Sequence, residues 1–75
     1  MYNRFTNDAK NVLRYAQESA QKFRHDYVGT EHILLGLVLN TSGLAGQLLT
    51  QLGLTNENVS RAIETTIGLG KTVPT

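Results

Sequence analysis

The chain has 75 residues, 40% hydrophobic and 17% charged, with 7 basic and 6 acidic side chains and a net charge of +1. That suffices for one small domain with a modest core and lies far from the composition of disordered chains. The scattered charge offers nothing to a row of phosphates, the lack of cysteine excludes disulfides and thiolate metal sites, and neither a signal-peptide core nor a run of ~20 apolar residues is present, so a cytoplasmic chain with no nucleic-acid or membrane partner is expected.

In chain order, Ala9, Val12, Leu13, Ala16, Ala20 and Phe23 recur at three- and four-residue spacing, which predicts a helix from about Asn7 to Phe23. Thr6 is its natural N-cap, and Asp8 suits the positive end of the helix dipole. The stretch "RHDYVG" interrupts the pattern. Thr30 then reads as the cap of a second helix to about Leu39, carrying Ile33, Leu34, Leu37 and Val38, with Glu31 in its first position. After the turn "NTSG", Ser42 is the expected cap of a short third helix, whose buried stripe would be Leu44, Ala45, Leu48, Leu49 and Leu52 before Gly53 stops it. Thr55 caps a fourth helix with Val59, Ala62, Ile63 and Ile67, ending near Gly68. The expected fold is all-α, a compact bundle of four to five short helices over residues 1–70, with 71–75 as a linker or tail. No strand alternation and no internal repeat competes with this reading.

Two stretches carry possible chemistry. "GLGKT", residues 68–72, ends like a phosphate-binding loop, but the full motif needs glycine where Thr65 stands and a preceding strand where a helix is predicted. Glu31 and His32 are adjacent, so on a helix their side chains diverge by about 100° and cannot readily act on one atom. His25 falls in a loop, poorly placed as a metal partner, and no nucleophile or metal-ligand motif occurs. An enzyme is not expected, nor a cofactor or a metal. By itself the pattern makes Glu31 a first-turn carboxylate that complements the helix dipole, and His32 a partly buried residue donating to a nearby carbonyl.

Taken together, "RFTNDAKNVLRYAQESA", "VGTEHILLGLV", "LLTQLGL" and "ENVSRAIETTIGLG" resemble, over residues 4–70, the N-terminal domain repeat of Clp-type AAA+ unfoldases, most nearly the ClpC branch. The resemblance implies one copy of a four-helix repeat that the family carries in tandem, related by a pseudo-twofold. It implies a non-catalytic module that receives adaptor proteins and clients for ATPase modules located downstream in the same polypeptide, if this chain is a fragment. In the ClpC branch such domains also recognise phosphorylated arginine. Carried onto this sequence, Glu31 of "GTEH" would take the guanidinium and Thr6 and Asn7 the phosphate, with Thr30 and Arg4 as further partners. The resemblance further suggests that two chains pair to imitate the tandem. An adaptor-only docking surface, or a small helical DNA-binding protein, are the alternatives.

Overall fold

The computed structural model describes residues 6–68, which fold into four helices: α1 (Asn7–Lys22), α2 (Thr30–Leu39), α3 (Leu44–Gln51) and α4 (Asn56–Thr66). Arg4 and the "GKT" tail lie outside the described residues. Helix α1 begins where its cap predicts, since the Thr6 hydroxyl accepts from the Ala9 N–H at 3.1 Å. It ends in a backbone reversal at Arg24, which adopts φ 60°; there the Arg24 N–H donates to the Gln21 carbonyl and the His25 N–H to the Ala20 carbonyl. This pairing satisfies the last carbonyls of the helix, and it is normally built around glycine.

Helix α2 runs antiparallel to α1. Asn40, just past its end, donates from Nδ2 to Asp8 Oδ1 in the first turn of α1, at 3.2 Å. Midway, the backbones nearly touch at Gly36, where a Cβ would come within 2.5 Å of the Val12 carbonyl oxygen. No larger residue fits there without separating the helices. The core grows from this contact: Val12, Ala16, Ala20 and Phe23 of the first segment and Leu35 and Val38 of α2 are buried, and Val59 and Ile63 of α4 close it. Buried apolar area of this kind stabilises the fold by about 25 cal/mol per Å².

Three sequence expectations need correction. The cap of α2 is Gly29, so Thr30 is the first helical residue and Glu31 the second. A glycine caps here because His32 reaches back and its Nδ1 accepts the Gly29 N–H at 2.8 Å, half of a capping box whose other half glycine cannot supply. The cap of α3 is Gly43 rather than Ser42. Most consequentially, the leucine stripe of α3 is not buried: Leu44, Leu48 and Leu52 are 72%, 50% and 77% exposed, and Ala45 is exposed as well. What α3 buries is Gly46, seated against the carbonyls of Leu37 and Asn40 at the corner where α2 and α3 meet at 93°. In α4, Ala62 is exposed and Ile67 is 46% exposed, while Val59 and Ile63 take the predicted core positions.

Candidate functional site

Glu31 sits in the first turn of α2, where amide groups without helical partners favour an anion. Its own backbone N–H and the Tyr27 hydroxyl, which donates to Oε2 at 2.7 Å, hold its carboxyl below the usual carboxylate range. The same bond pushes the Tyr27 phenol up. The carboxylate also lies over Gly29, where a Cβ would stand 2.6 Å from Oε1. A bare glycine is what lets the acid fold back onto the helix start. Ionised, and with a carboxylate's remaining lone pairs unspent on Tyr27, Glu31 can accept from a cation such as a guanidinium.

A shallow groove of about 400 Å³ continues from Glu31 between α2 and α4, walled by Leu34, Leu54, Val59, Ala62, Ile63 and Ile67. Glu31 is the sole charged group among its lining residues.

Thr30 neighbours Glu31 at the same helix start and is exposed. Thr6 and Asn7 are elsewhere. They open α1 at the Asp8–Asn40 end of the antiparallel pair, whereas Glu31 lies at the Tyr27 end. With Gly36 level with Val12 and Ala16, a helical rise of ~1.5 Å per residue separates Thr6 from Glu31 by roughly 15–20 Å. The structure therefore brings together Glu31 and Thr30 and keeps Thr6 and Asn7 as a second locus. The Thr6 hydroxyl accepts from Ala9 and retains its own proton for donation.

His32 is fully buried and donates to no carbonyl; its Nε2 meets His25 Nδ1 at 2.7 Å, and His25 Nε2 meets the Gly68 carbonyl at 2.8 Å. Burial pushes the His32 ring down from its ordinary value, with His25 acting in the same direction and Glu31 opposing it. The pair of histidines was invisible to helical periodicity because seven residues and a loop separate them. Tyr27 also stands in that connection, ahead of the Gly29 cap, so helical spacing gave no reason to pair it with Glu31. No group of three or more metal-ligating side chains exists among the described residues.

The described residues thus form an all-α four-helix unit with glycine-tight packing, a polar helix start and an open apolar groove. The chain belongs to the Clp repeat (R) N-terminal domain family, whose model matches residues 4–75. It is 46% identical over 95% of its length to the negative regulator of genetic competence ClpC/MecB of Bacillus subtilis. It is 45% identical over 95% to the chaperone protein ClpB of Oceanobacillus iheyensis, and 38% over 95% to the ATP-binding subunit ClpC of the Clp protease of Staphylococcus epidermidis. In each case the chain spans 9% of the relative's length.

Proposed function

We propose that this chain is a docking module of a ClpC-like unfoldase, receiving adaptor proteins and arginine-phosphorylated clients for ATPase modules elsewhere in the polypeptide. The observation that carries the reading is Glu31: an ionised carboxylate, oriented by Tyr27 at a helix start and continuous with an apolar groove. Phosphoarginine joins a guanidinium to a phosphate within a few ångströms. Glu31 suits the first pole and repels the second, while the Thr6–Asn7 start of α1 suits the second and is too distant to share the ligand. The separation favours a site completed by two copies, the Glu31 locus of one facing the Thr6 locus of another. Arg4, two residues before Thr6, would strengthen the phosphate pole.

Titration of a phosphoarginine peptide into labelled protein, with arginine and phosphoserine peptides as controls, tests this. Selective amide shifts at residues 6–8 and 29–33 are expected, and Glu31→Gln should abolish them while leaving adaptor binding intact. Mixing Glu31→Gln with Thr6→Ala chains should restore part of the binding if the site spans two copies. Adaptor binding by a chain that shows no phosphoarginine-peptide shifts would instead point to an adaptor-only surface, and shifts that ignore phosphorylation would reject the phosphoarginine reading.

A further inference from the structure

We propose that His25 and His32 form a proton-sensitive clasp that fastens the end of α4, at Gly68, to the cap of α2. The inference goes beyond docking and does not depend on which ligand Glu31 takes. It starts from the order of the hydrogen bonds. The Gly29 N–H donates to His32 Nδ1, so the neutral His32 ring carries its proton on Nε2. The Gly68 carbonyl accepts from His25 Nε2, so the neutral His25 ring carries its proton there and offers a bare Nδ1. The 2.7 Å contact is then His32 Nε2–H donating to His25 Nδ1. Three contacts run in one direction from a backbone donor to a backbone acceptor, and the two neutral rings hold the two protons that complete them.

An added proton has no place in this chain. On His25 Nδ1 it faces the His32 Nε2–H; on His32 Nδ1 it faces the Gly29 N–H. Either way one contact becomes donor against donor, in a site where His32 is out of water. Aromatic packing holds the rings in this alignment: His25 stacks on Phe23 and on Tyr27, with centroids 5.7 and 5.4 Å away, and Tyr27 meets His32 edge-on at 5.2 Å. A charged His25 remains acceptable to those ring faces, so the contact that opens is the one between the histidines. Gly68 then stays with the connecting loop and loses its tie to α2.

The charged groups around the pair divide by element. Glu31 on α2 favours the protonated form of His32, and His25 disfavours it. Asp26 and Arg24, both exposed, flank His25 in the connection with opposite signs, Lys22 ends α1, and Glu64 lies in the last turn of α4. Burial decides the balance for His32, whose ring is held below its ordinary value. Because the folded ring resists a proton that the unfolded chain accepts, the clasp's contribution is complete above about pH 6.5 and fades as pH falls through the lower, folded value.

The test is ¹⁵N and amide-exchange NMR of the chain between about pH 8 and pH 5, the window in which histidine titrates. At the upper end both rings should appear as Nε2–H tautomers, with Ile67 and Gly68 amides protected. On acidification the His32 Nε2–H resonance should vanish and that protection should fall several-fold, while α1 and α2 amides remain protected. His25→Phe, which keeps a ring in the stack without nitrogens, should show the low protection at every pH and no acid step. An Nδ1–H tautomer for His32 at the upper pH, or an acid step that persists in His25→Phe, would overturn the proposal.

Discussion

Helices α2 and α3 are both leucine-rich and have opposite fates. Leu35 and Val38 of α2 are almost entirely buried, whereas Leu44, Leu48 and Leu52 of α3 look outward. The difference lies in what faces each helix. Helix α2 is gripped by α1 through Gly36 and by α4 through Val59 and Ile63, while α3 contacts α2 at a corner and buries Gly46 and part of Leu49. Periodicity tells which residues share a face; it does not tell whether a partner meets that face. No charged side chain occurs from Ile33 to Asn56, so the outward leucines have no charged neighbours in sequence to break up the patch. A second copy would meet them without like-charge repulsion, in keeping with the paired arrangement proposed above.

The contrast can be tested by substitution. Leu35→Ala should cost about 2–5 kcal/mol, since it empties a closed position between three helices, and denaturant unfolding would read it as a lowered midpoint with an unchanged slope. Gly46→Ala comes next, at about 1–3 kcal/mol, because the new methyl would stand 2.6 Å from the Leu37 carbonyl and the backbone must yield. Its loss should be confined to α3, seen as faster amide exchange in residues 44–51. Leu52→Gln should change monomer stability by less than ~0.5 kcal/mol, as for exposed positions generally. Sedimentation should show it weakening any self-association. A loss as large as that of Leu35→Ala would mean that the leucine face of α3 is covered within the monomer.

Much of the fold could be read from residue order alone. Thr6 and Thr55 announced two helix starts because each carries a hydroxyl that accepts from the backbone three residues on. The start of α2 was misplaced by one residue, since its capping acceptor is an imidazole inside the helix and no propensity marks it. The carboxylate at position 31 was legible as a helix-start anion, yet its distance from Thr6 was not. That distance depends on α1 and α2 packing antiparallel, a tertiary outcome fixed by contacts such as Gly36 with Val12. The histidine pair depends on a loop conformation, which local pattern describes least.

The left-handed residue at Arg24 has one more consequence. Its two backbone hydrogen bonds set the arc of chain that carries His25 from the end of α1 back to His32, so the connection has a fixed gauge. One extra residue between Lys22 and Tyr27 would carry the ring along by about 3.3 Å, more than a hydrogen bond can stretch. Surface loops ordinarily tolerate length changes, and this one should not. Insertions and deletions ought to be rare across "FRHDY".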